Sequence, residues 1–151
     1  KSLYTYWKRA VNPPRQIIFD ASGREMCNVT INRTNTPLQA LVLMNDETFI
    51  EAARHIAARA LTEKPKNNVA DRLGHLYELV TARKITAPQL ETLTKNLTFF
   101  REHFSSKPES AETFLKIGST PRNESIDPIE HAAHTAVAHL VLNLDESITL
   151  E

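Results

Sequence analysis

From Thr36 to Leu144, apolar residues return every three or four positions and almost nowhere alternate, and the whole chain of 151 residues holds only 3 Gly. A period near 3.6 puts such residues on one side of a helix, whereas a half-buried strand needs a period of two. The spacing therefore predicts an all-α fold, a multi-helix bundle of about five to six helices. Thr36-Pro37-Leu38-Gln39 predicts the first start, because Thr36 can cap free amides, Pro37 suits the first turn and Gln39 can reach back. Asn45-Asp46 offers a second cap just after it. A helix from about Glu47 to Leu61 follows, with Phe49, Ala52, Ala53, Ile56, Ala57, Ala60 and Leu61 inward, and we expect it near the middle of the fold.

Beyond the polar break at Glu63 to Asn68, the residues Val69, Leu73, Leu76, Tyr77 and Val80 predict a helix ending around Arg83. Thr86-Ala87-Pro88-Gln89 repeats the capping-box pattern, and Ser106-Lys107-Pro108-Glu109 is a third such start. Gly118 is a plausible C-terminal cap. Asp127-Pro128 opens the last predicted helix, with Ile129, Ala133, Ala136, Val137, Leu140 and Leu144 facing inward.

Residues 1 to 35 read differently. Tyr4, Tyr6 and Trp7 cluster, Pro13-Pro14 are expected to break any helix, and Cys27, Val29 and Ile31 alternate with polar residues. We expect an irregular or extended basic and aromatic arm over 1–35 and the helical bundle over 36–149, together one domain at the C-terminal end of a larger protein. The size suits one core. Residues 1 to 34 carry six Lys or Arg against two Asp or Glu, and the remainder twelve against sixteen. With 18 basic and 18 acidic residues in all, the bulk positive charge of a nucleic-acid binder is missing. Nor does any stretch approach the roughly 18 consecutive apolar residues of a membrane span.

Cys27 stands alone, so no internal disulfide can form, and C-x-x-C-H for covalent haem is absent. His131 and His134 share a helix face, but His139 falls off it and no complete ligand set such as H-E-x-x-H appears, so no metal site is expected. The densest polar grouping is Asp20, Arg24, Arg33, Asn35, Gln39, Asn45 and Asp46 around the first predicted helix start. Two readings stay open for it: an anion held by free amides and guanidinium donors, or a network that ties the arm to the bundle. Tyr4, Tyr6 and Trp7 are candidates for a seam to an upstream domain, or for stacking on a sugar or base.

The run Ser2-Leu3-Tyr4-Thr5-Tyr6-Trp7-Lys8-Arg9, then Phe19-Asp20, Arg24, Cys27, Arg33-Thr34-Asn35-Thr36-Pro37-Leu38-Gln39-Ala40-Leu41, Asn45-Asp46, Leu76 to Arg83 and Asn143-Leu144-Asp145-Glu146 resembles a known pattern. It is similar to the C-terminal domain of planctomycete-type, cytochrome c-associated multidomain proteins, a domain family of unknown function. The resemblance implies an extracytoplasmic bacterial setting, upstream domains of the same chain as partners, no cofactor in this domain and haem in the upstream part. It carries no catalytic residues with it. The family commonly shows an aromatic near His134 and Gly near Ala82, where this chain departs. Two readings follow: a noncatalytic structural or interaction domain, or a contributor of Asp20, Arg24, Arg33 and Asn35 to a composite active site of an oxidoreductase or carbohydrate-processing parent. A module for an anionic glycan or peptide is a third.

Overall fold

The computed structural model describes residue 6, residues 12–21, residue 34 and residues 36–64 and 68–148. Among them are eight helices: α1 (Pro14–Ile18), α2 (Pro37–Asn45), α3 (Glu47–Glu63), α4 (Val69–Thr81), α5 (Ala87–Ser106), α6 (Pro108–Leu115), α7 (Pro128–Leu142) and α8 (Asp145–Ile148). This corrects the expected five to six. The additions are the two shortest helices. Pro13-Pro14 does not break the arm but starts α1, because a proline at the first turn has a preset φ and no amide that needs a partner there. The four residues of α8 are too few for an apolar period to register.

The helix starts follow their caps. At α2, Gln39 N donates to Thr36 Oγ1 at 3.3 Å while Thr36 N donates to Gln39 Oε1 at 2.8 Å, a reciprocal capping box. Asp46, Asn68 and Asp127 accept from Thr48 N, Asp71 N and Glu130 N at 2.8, 2.8 and 2.9 Å and so open α3, α4 and α7. At α5 Gln89 Oε1 accepts from Thr86 N at 3.0 Å. The third expected start behaves otherwise: α5 runs on to Ser106, and α6 begins at Pro108 without a side-chain cap. Helix α4 ends at Thr81 instead of near Arg83, because Ala82 takes the left-handed conformation (φ 55°, ψ 17°) and turns the chain.

The central helix is α7, with α3, α4, α5 and α6 packed around it and α3 its chief partner. Eight of its residues are buried, namely His131 through Thr135, Val137, Ala138 and Val141, so it presents no single inward face. A helix enclosed on most sides is apolar most of the way round. Hence Leu140 and Leu144, expected inward, stay partly exposed, while Val141 is sealed. Ala53, Ala57 and Ala60 on α3 and Ala132, Ala133 and Ala138 on α7 are fully buried. These small side chains allow the close helix approach, and Leu73, Leu76, Tyr77, Leu97 and Leu115 fill the space around it.

Candidate functional site

The polar grouping seen in the sequence splits in two. One part is a knot between the arm and the start of α2. Asp20 Oδ2 accepts from the Thr34 amide and from the Thr34 hydroxyl, each at 2.7 Å. Gln39, only 1 % exposed, donates from Nε2 to Ile18 O at 2.8 Å and to Thr34 Oγ1 at 3.3 Å while its Oε1 closes the capping box. The Thr34 hydroxyl, then its amide, hold the Asp20 carboxyl below the ordinary carboxylate range by favouring the charged form. Asp20 itself adopts φ 57°, a conformation that Asp tolerates better than most residues. Phe19 packs against Phe49 of α3, their ring centroids 5.9 Å apart, so the end of α1 is held by apolar contact as well.

The other part lies at the far end of α2. Asn45 lies six positions beyond Gln39 in the helix, about 9 Å along the axis, and its Nδ2 donates back to Leu41 O at 2.8 Å. Asp46 serves as the cap of α3. The structure thus joins Asp20 to Gln39 and separates both from Asn45 and Asp46. Arg24, Arg33 and Asn35 lie outside the described residues, as do Tyr4, Trp7 and Cys27. Tyr6 is described and is strongly exposed.

Between these two polar ends, α2 carries an apolar stripe turned to solvent. Leu38, Leu41 and Met44 follow at intervals of three and are 53, 57 and 54 % exposed, with Ile17 of α1 exposed to a similar degree. Within α2 only Gln39 and Leu43 are buried. Isolated exposed leucines are ordinary, whereas these residues gathered on one helix face form a contiguous exposed apolar patch.

A second polar assembly was not legible in the sequence. Arg54, on the inner side of α3, is 2 % exposed and reaches across to the segment after α6. Its guanidinium donates to Leu115 O, to Thr120 O at 2.7 Å and to Thr120 Oγ1 at 3.0 Å. Glu51, one turn earlier, accepts from Ser119 N at 3.1 Å, Thr120 N at 3.0 Å and the Thr120 hydroxyl. The Thr120 hydroxyl, then the Ser119 amide, with the charge of Arg54 a smaller contributor, bring the Glu51 carboxyl down to about 2. The one available signal was an arginine inside an alanine-rich helix face.

The histidines of α7 are divided among different partners. His131 Nε2 faces Arg54 O at 3.2 Å, His134 Nδ1 faces Glu130 O at 2.9 Å, and His139 Nε2 faces Leu43 O at 2.8 Å. Since a carbonyl only accepts, each of these nitrogens carries the proton. Among the described residues no group of three His, Cys, Asp or Glu comes together to hold a metal ion. No helix of the described residues is long and apolar enough to cross a membrane.

Together these features define an all-helical domain built round one enclosed helix, with an arm knotted to α2 and an exposed apolar stripe beside the knot. Residues 1–97 match the family model described as a protein of unknown function (DUF1553), and the chain belongs to that family. No curated protein and no solved structure matches the chain.

Proposed function

We propose that this chain is a noncatalytic structural and interaction domain that packs against upstream domains of the same polypeptide. The observation that carries this reading is the stripe of Leu38, Leu41 and Met44, each more than half exposed on a helix whose start is held by the Thr36–Gln39 capping box and whose end is closed by the bond from Asp46 N to Val42 O. Burying such a stripe is worth about 25 cal/mol per Å2, enough for three large side chains to anchor an interdomain contact. The engagement of Asp20 Oδ2 and of both ends of the Gln39 amide within the arm knot favours this role over a composite active site, since atoms already bonded within the chain have less to offer a substrate. The resemblance to planctomycete-type, cytochrome c-associated proteins supports an extracytoplasmic bacterial parent in which haem, where present, belongs to the upstream part.

Hydrogen exchange tests this. The α2 amides are followed in the present chain and in the longer protein, with and without the double change Leu41→Ser and Met44→Ser. Docking predicts extra protection of α2 in the longer protein that the double change removes. Equal exchange of α2 in both settings would refute the proposal.

A further inference from the structure

Behind the Arg54 clamp lies a cavity of about 360 Å3 between α3, the start of α7 and the loop that joins α6 to α7. Its polar walls come from Arg54, His55, Arg59, Arg122, Asn123 and His131, and no Asp or Glu lines it among the described residues. Three guanidinium groups around one opening repel one another unless negative charge is near. Two of them have such a partner outside the cavity: Glu51 lies 3.7 Å from Arg54, and Glu63 bonds Arg59 at 2.9 Å. Among the described residues Arg122 has no such partner. It makes a long bond of 3.4 Å from Nη1 to the Ile126 carbonyl, a neutral group within its own loop.

Two further details mark the cavity as electropositive and incompletely satisfied. Arg54 Nε is buried and finds no hydrogen-bond partner among the described residues, while Nη1 and Nη2 bond Leu115 and Thr120. The His131 imidazole, almost fully buried on the α7 wall, is held below its ordinary range, first by burial and, after the opposing effect of its bond to Arg54 O, by the charges of Arg54, Arg122 and His55. An orphaned buried donor costs free energy, and among the described residues the Arg122 charge is balanced only by solvent. An anion in the cavity would supply a charge partner to Arg122 and an acceptor beside Arg54 Nε.

We infer that this cavity binds the oxyanion group of a small solute, a phosphate or a carboxylate, with Arg122 as its principal charge partner and Arg54 and Arg59 beside it. Guanidinium groups suit this ligand class because their forked donors match two oxygens at a time. The volume lies at the small end of ligand pockets and leaves room for the oxyanion together with part of the solute that carries it. The site is remote in sequence from the arm knot and does not depend on the docking role of α2.

The test is a titration of the whole chain with inorganic phosphate, and separately with acetate, at constant ionic strength set with chloride. Thermal denaturation and amide chemical shifts are followed for the native chain and for Arg122→Gln. Phosphate raises the melting temperature of most proteins slightly through exclusion from their surfaces, so the difference between the two chains is the informative quantity. We expect the native chain to show saturable shifts at Arg122, Asn123 and Thr62, and Arg122→Gln to bind about tenfold more weakly, as loss of one charge-assisted contact implies. A larger response to phosphate than to acetate would identify the phosphate arm, and the reverse the carboxylate arm. No saturable shift with either anion, or the same response in Arg122→Gln, would overturn the inference. Arg122 is partly exposed, so its replacement leaves the core intact. Arg59→Gln, on the opposite wall, serves as the second variant and should weaken binding in the same sense.

Discussion

Replacing Arg54 by Leu removes the clamp between α3 and the segment after α6 while keeping a side chain of comparable bulk. Three hydrogen bonds from a charged donor disappear, to Leu115 O, Thr120 O and Thr120 Oγ1. A bond from a charged group contributes about 1.5–3 kcal/mol. Leu115 is fully buried, so the loss at its carbonyl is counted in full, whereas Thr120 is exposed and water can replace much of what it loses. Glu51 also loses the cation 3.7 Å away. The sum is about 3 kcal/mol, with some return from the apolar leucine. Urea denaturation followed by far-ultraviolet circular dichroism would register it as a midpoint lower by roughly 1–2 M, given slopes typical of this size. Arg54→Lys, which supplies one compact donor group in place of a fork, should fall between the two. Combining Arg54→Leu with Glu51→Gln should cost less than the two single changes added, because the residues act on the same segment. A loss under about 1 kcal/mol for Arg54→Leu would refute the view that this buried arginine holds the two segments together.

Gly118 has φ 106°, and a Cβ there would lie 2.7 Å from Glu51 Oε2 and 2.9 Å from Glu51 Cβ, so Gly118→Ala should cost about 2–3 kcal/mol in the same urea assay. Ala82→Gly should raise stability by about 0.5–1 kcal/mol, because it relieves a left-handed alanine at the end of α4 and gives back part of that gain as unfolded-chain entropy. The folded-state pKa of Glu51, about 2, lies below its ordinary 4.5, so its contribution is complete above 4.5 and is lost as pH falls from there through about 2. Urea midpoints measured across that range should drop, and the drop should be smaller in Glu51→Gln.

The local starts were written in the sequence because each needs only a few neighbouring residues. Thr36 with Gln39, Asp46 and Asp127 cap the helices that their spacing announced, and the three-residue intervals of Ala53, Ile56, Ala57 and Ala60 are helical whatever surrounds them. The resemblance, carried by residues along nearly the whole chain, was to a domain family of unknown function, and at that coarse level it agrees with the DUF1553 match of residues 1–97. Two short helices escaped because five and four residues hold barely one turn, too little for a period to be read. The choice of α7 over α3 as the central helix escaped for a different reason. A run that is apolar on most sides has no preferred face, and only the arrangement of its neighbours decides that Val141 is enclosed and Leu140 is not. The same holds for the polar sites. Asp20 and Gln39 lie close enough in the chain to be grouped by eye, but whether Asn45 belongs with them depends on the length of α2 between them. Arg54, Thr120, Arg122 and His131 are scattered over 77 positions, and their meeting is a product of how α3, α7 and one loop pack. Short-range bonding is encoded residue by residue, whereas the company a side chain keeps across the core is settled only by the collective burial that sets the helices against each other.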